Sequence, residues 1–65
     1  MLSDKLNYKH NGHTYHLVKV EGAERYSVIR DGRKTRQISM ACLCDAIAHK
    51  DHLQVIERLF TNAKN

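Results

Sequence analysis

From Lys5 to Ile38, apolar and polar residues alternate with the period of an extended strand, and three glycines punctuate the alternation. Leu6 and Tyr8 alternate with Lys5, Asn7 and Lys9, outward lysines that suit an edge strand. Tyr15 and Leu17 alternate with Thr14, His16, Val18 and Val20, and Tyr26 and Val28 with Ser27 and Ile29. Asn11-Gly12 and Asp31-Gly32 are preferred centres of two-residue type I′ turns, because both positions need positive φ. A third reversal falls at Gly22. The pattern predicts strands at about 5–10, 13–20, 25–30 and 33–38, paired as an antiparallel meander.

The turns also predict a register. Folding at Asn11-Gly12 opposes His10 to His13, Tyr8 to Tyr15 and Leu6 to Leu17, pairings that a hairpin rewards. A two-residue loop at Asp31-Gly32 opposes Arg30 to Arg33, Val28 to Thr35 and Tyr26 to Gln37. Two faces result. The tyrosine face carries Leu6, Tyr8, Tyr15, Leu17, Tyr26 and Val28, then Lys19, Arg30, Arg33, Thr35 and Gln37. The aliphatic face carries Val18, Val20, Ile29 and Ile38 with His16, Ser27, Lys34 and Arg36.

Beyond Ser39, a plausible N-cap, the period changes to that of a helix. Met40, Leu43, Cys44 and Ile47 form one apolar stripe; Ile56, Leu59, Phe60 and Ala63 form another. At about 100° per residue, the nine positions from Ile47 to Ile56 turn one straight helix to its opposite side. A break near Lys50, with Asp51 capping a second helix and Gln54 as its capping-box partner, removes the conflict. Helices at about 40–49 and 52–62 are expected, or one continuous helix whose second stripe meets another subunit. The fold class is α+β: a three- or four-stranded meander followed by one or two helices on one sheet face. The helices are expected on the aliphatic face, with the tyrosine face as the alternative, over a core of Val18, Val20, Ile29, Ile38, Met40, Leu43, Ile47, Ile56, Leu59 and Phe60. The tyrosine face then stays partly open.

Sixty-five residues make one domain, 1–65, with little core to spare. That shortage, with two apolar faces to cover, suggests a homodimer or a docked partner. No stretch reaches membrane-spanning length, and Met1-Leu2-Ser3-Asp4-Lys5 lacks the apolar run of an export signal. A cytoplasmic protein with reduced thiols and no membrane partner is expected. Met1 to Asp4 have little to bury and are expected to fray.

No catalytic or metal signature emerges. Cys42 and Cys44 lie too far apart around a helix to bridge each other, Cys44 belonging to the apolar stripe. His10 and His13 oppose each other across the first turn, but alternation sends His16 to the other face and leaves a zinc site short of ligands. Like charges so opposed would loosen that end of the sheet in acid. The carboxylates are scattered over turns and helix starts, and the glycines serve reversals. The sequence therefore predicts a protein that is not an enzyme and has neither cofactor nor metal.

The charge is more informative. Eleven lysines and arginines against seven carboxylates give a net charge of +4. Arg25, Arg30, Arg33, Lys34 and Arg36 crowd onto two strands joined by one tight turn. A two-stranded ribbon fits the DNA major groove, where arginine reads guanine, glutamine reads adenine and phosphates supply affinity. Arg30, Arg33, Thr35 and Gln37 form the expected reading set, flanked by Tyr26 and Lys19, with Arg25, Lys34 and Arg36 beside them. The expected partner is nucleic acid, or an acidic or nucleic-acid-handling protein complex that the chain serves as inhibitor or adaptor. Small accessory proteins of phages and mobile elements often act in one of these ways. The run from Tyr26 through Asp31-Gly32 to Arg36, followed by a helix, resembles the arm-type DNA-binding domains of tyrosine recombinases. The resemblance covers residues 25–48 and implies a sheet, backed by a helix, that enters the major groove. The chain lacks the aromatic residue and the Thr-x-x-Glu-Ala run that usually lead into that family's helix.

Overall fold

A computed structural model describes residues 3–61. Four strands, β1 (Lys5–His10), β2 (His13–Lys19), β3 (Arg25–Arg30) and β4 (Lys34–Ser39), pair antiparallel in the order β1-β2-β3-β4. Two helices follow, α1 (Met40–Ala48) and α2 (His52–Thr61), and both pack on one face of the sheet. The α+β meander is as the pattern predicts. Position 62 of the expected second helix and Ala63 of its stripe lie outside the described residues.

The first two hairpins take the expected register. His10 opposes His13, Tyr8 opposes Tyr15 and Leu6 opposes Leu17 around Asn11 and Gly12, with φ of 53° and 78°. At the second reversal the Ala23 amide donates to the Val20 carbonyl at 3.2 Å, and Gly22, at φ 80°, takes the position of a type II turn that needs positive φ.

The third hairpin differs by one residue. Asp31 and Gly32 have the positive φ of a type I′ turn, and the Arg33 amide donates to the Arg30 carbonyl at 2.9 Å. Yet Arg30 pairs with Lys34, Ile29 with Thr35, Val28 with Arg36 and Tyr26 with Ile38. Arg33 is thus an extra residue at the head of β4, in the manner of a β-bulge. Every side chain of β4 changes face relative to the expectation. Lys34, Arg36 and Ile38 join the tyrosine face, while Thr35 and Gln37 move to the other.

The tyrosine face, not the aliphatic one, lies under the helices. Tyr15, Leu17, Tyr26 and Val28 are fully buried, joined in the core by Ile38, Leu43, Ala46, Ile56 and Phe60. Leu6, Tyr8, Met40, Ile47, Val55 and Leu59 pack around them, half-buried. Val18, Val20 and Ile29 are not core: they stand on the open face, Val18 with 38% of its surface exposed. Area decides this choice, because a tyrosine buries roughly 150–250 Å² where a valine offers far less. The Tyr26 hydroxyl keeps a partner by donating to the Ser3 carbonyl at 2.7 Å. The Asp4 carbonyl accepts from the Lys19 amide at 2.8 Å, so Ser3 and Asp4 are tied to the sheet rather than frayed.

The helix break falls where the stripes required it. Ser39 caps α1, its hydroxyl accepting from the Cys42 amide at 3.1 Å. α1 buries Leu43 and Ala46 and packs Met40 and Ile47 against the core; of the expected stripe only Cys44 departs, being exposed. The helix ends in a Schellman motif: the Lys50 amide donates to the Ile47 carbonyl and the Asp51 amide to the Ala46 carbonyl, both at 3.0 Å. The Asp51 carbonyl then accepts the first bond of α2 from the Val55 amide at 3.0 Å. Among the described residues no Asp51–Gln54 side-chain capping bond accompanies it.

Lys50 occupies the left-handed position of this motif at φ 60°, where glycine is the usual residue. Lys50→Gly is expected to stabilise the protein by about 0.5–1 kcal/mol, the relief of Cβ strain outweighing the extra freedom of the unfolded chain. Urea melts of the two proteins measure it; a lower midpoint for the variant would show that Lys50 is not strained.

Candidate nucleic-acid interface

With the helices on the tyrosine face, the other face of the sheet lies open. The registers place Lys5, Asn7 and Lys9 there from β1 and Thr14, His16 and Val18 from β2. Arg25, Ser27 and Ile29 come from β3, and Thr35, Gln37 and Ser39 from β4. No carboxylate stands among these outward positions. The centre is polar around Val18 and Ile29: Asn7 and His16 hydrogen-bond across β1 and β2, and Arg25 donates to Gln37 at 3.1 Å.

The expected binding set is divided by the shift of register. Thr35, Gln37 and Arg25 are on the open face, and Arg33 and Lys34 are exposed at the hairpin end. Arg30 and Arg36 emerge on the helix side, half-buried, their guanidinium carbons 4.9 and 5.6 Å from the centre of the Phe60 ring. Tyr26 is a core residue and reads nothing. Lys19 lies opposite Tyr26 and spends its ammonium on the Ala23 carbonyl at 3.2 Å. The expected reading set of Arg30, Arg33, Thr35 and Gln37 on a single face therefore does not form, because one extra residue reverses β4.

Three acidic groups, Asp31, Glu57 and Asp45, lie against histidines. His13 Nδ1 lies 2.6 Å from Asp31 Oδ2, while the Thr14 amide donates to Asp31 Oδ1 at 3.0 Å. In return the Asp31 amide donates to the Thr14 carbonyl at 2.8 Å, so one aspartate fastens the tip of the third hairpin to β2. His10 Nε2 lies 2.9 Å from Glu57 Oε1, and the Asn11 side-chain amide donates to both Glu57 oxygens, fastening the first turn to α2. His49 lies 3.5 Å from Asp45. His10 and His13 thus face a carboxylate each. Among the described residues, no lysine or arginine has a carboxylate oxygen within 4.0 Å.

Nothing in the sequence pattern signals these clasps, whose partners lie 18 and 47 positions apart. The lysines of β1, which guard an edge, also border the face now open, and alternation alone is enough to put them there. Among the described residues, no three histidines, cysteines or carboxylates gather as metal ligands. Cys42 and Cys44 are both free and exposed. No helix of the described chain is long and apolar enough to cross a membrane.

The Thr14 amide, and after it His13, holds the Asp31 carboxyl below the usual carboxylate range. A depressed folded pKa contributes stability that is present above the unfolded value, about 3.9, and is lost as pH falls through the folded value. Asp31→Asn keeps a residue that tolerates positive φ but removes the charge. Its melting temperature is expected to lie below that of the parent at pH 7, with the gap narrowing toward pH 2–3. A gap that stays constant with pH would show that Asp31 acts only through its turn geometry.

Compared with known proteins, the chain matches no family model, no curated protein and no solved structure.

Proposed function

We propose that this chain is a small non-catalytic nucleic-acid-binding module, an accessory or regulatory protein rather than an enzyme. It binds through the open sheet face and the adjoining β3–β4 hairpin. One observation carries the reading: among the described residues no lysine or arginine is paired with a carboxylate, and three of the carboxylates, Asp31, Asp45 and Glu57, lie against histidines instead. Lys5, Lys9 and Arg25 border the open face, and Arg33 is exposed at the adjoining hairpin end with Lys34 beside it on the helix side, a distribution that suits a phosphate backbone. Thr35 and Gln37 lie within that border and supply polar contacts to bases.

A second reading has one observation of its own. Val18, exposed near Ile29 and Val20, gives the otherwise polar open face a small apolar spot of the kind that docks on a protein. In that reading the chain is an inhibitor or adaptor of a nucleic-acid-handling complex. Val18→Glu would then abolish capture of a partner from nuclease-treated lysate; capture unaffected by the change removes this reading.

The nucleic-acid reading is tested by fluorescence anisotropy with a short duplex and a single strand of mixed sequence. Arg25→Ala with Arg33→Ala is expected to weaken binding while the far-ultraviolet spectrum stays unchanged. The slope of log affinity against log salt should flatten by about 0.9 for each duplex phosphate that is no longer neutralised. A parent protein that binds neither probe at low salt overturns the proposal.

A further inference from the structure

Arg30 and Arg36 come from neighbouring strands and are not register partners: Arg30 faces Lys34, and Arg36 faces Val28. Even so, both guanidinium groups lie on the same aromatic ring, that of Phe60 near the end of α2. The ring is a fixed platform. Phe60 is 6% exposed and packs on the fully buried Tyr15, ring centres 5.8 Å apart. Contact with the ring restricts the two guanidinium groups where a free arginine would sample many rotamers, so less freedom is lost when an anion arrives.

Among the described residues, few groups answer these charges. Arg36 gives one of its donors to the Thr35 carbonyl at 3.0 Å, and Arg30 makes no side-chain hydrogen bond among the described residues. Asp31, the neighbour of Arg30 in sequence, is near enough to feel its charge, but its oxygens are hydrogen-bonded to His13 and Thr14. The last carbonyls of α2 offer roughly half a negative charge. Against that stand three positive charges, since the register sets exposed Lys34 beside Arg30.

We propose that Arg30, Lys34 and Arg36, mounted on Phe60, form a clamp for a phosphate group. The arginines supply paired N–H donors to the phosphate oxygens and Lys34 supplies a mobile charge. The clamp lies on the helix side of the edge strand β4, whereas Arg25, Thr35 and Gln37 lie on its open side. A nucleic acid seated on the open face therefore places a backbone phosphate in the clamp by passing over that edge. This deepens the nucleic-acid reading and rests on it for the carrier of the phosphate; free phosphate compounds share the same chemistry.

The experiment uses the full chain with labelled arginines, following their Nε–Hε signals by nuclear magnetic resonance. The probes are pyrophosphate, a single-stranded 12-mer and a 12-base-pair duplex. Arg30 and Arg36 signals are expected to shift together, and Arg25 less, on adding pyrophosphate. Arg30→Lys with Arg36→Lys retains both charges but loses the fork, and should lower oligonucleotide affinity about tenfold with little change in salt slope. Phe60→Leu retains every charge and removes the platform; where it still unfolds cooperatively, affinity should fall several-fold. If Phe60→Leu does not fold, the double lysine variant carries the test alone. Pyrophosphate shifts without oligonucleotide binding would keep the clamp and defeat the nucleic-acid reading. Oligonucleotide binding that the double lysine variant leaves intact, with Arg30 and Arg36 signals unmoved, would defeat the clamp and leave that reading standing.

Discussion

The arrangement depends on a single surplus residue, Arg33, at the head of β4. Had Arg33 paired with Arg30, β4 would present Arg33, Thr35 and Gln37 to the helices and leave Ile38 in water. Burying an isoleucine side chain is worth about 1.5–3 kcal/mol. Burying a glutamine amide without partners costs a further 1–3 kcal/mol or so. Together these exceed what a clean two-residue loop could recover over a bulged one. The bulge also brings Arg36 to Phe60, so core packing and charge placement follow from the same slip.

Much of this was legible in the residues. Asn11-Gly12 and Asp31-Gly32 named their turns because few other pairs accept positive φ twice running. The helix break was legible as an angular conflict between Ile47 and Ile56, even without proline or glycine to enforce it. What was not legible were choices decided at a distance. Asp-Gly turns accept loops with or without a bulge, and only the position of Ile38 relative to Tyr26 selects one. Both sheet faces read as half-apolar, so their fate turned on which could bury more area against α1 and α2.

The candidate interface shows the same division. Its basic residues were legible as a cluster on two strands, but strand period is two, so one slip distributed them over both sides of β4. The pairing of histidines with carboxylates was hidden for another reason. Asp31 reads as a turn residue and Glu57 as one charge on a helix; nothing local marks either as an anchor for a distant imidazole. Among the described residues the arginines and lysines have no carboxylate partner, which gives the surface its character.

The strand order carries a consequence for how the chain folds. Each strand pairs only with its neighbours in sequence, and the connections are as short as Asn11-Gly12 and Asp31-Gly32-Arg33. Every pairing is therefore a hairpin with low loop-closure entropy, and either turn can nucleate the sheet on the microsecond scale of hairpin formation. Speed at the third turn brings a competing product, because the unbulged alignment of β4 is equally local and forms from the same Asp-Gly turn. Only docking of the helices against Ile38 distinguishes the two alignments. Helices made after β4 thus set the register of a strand made before them.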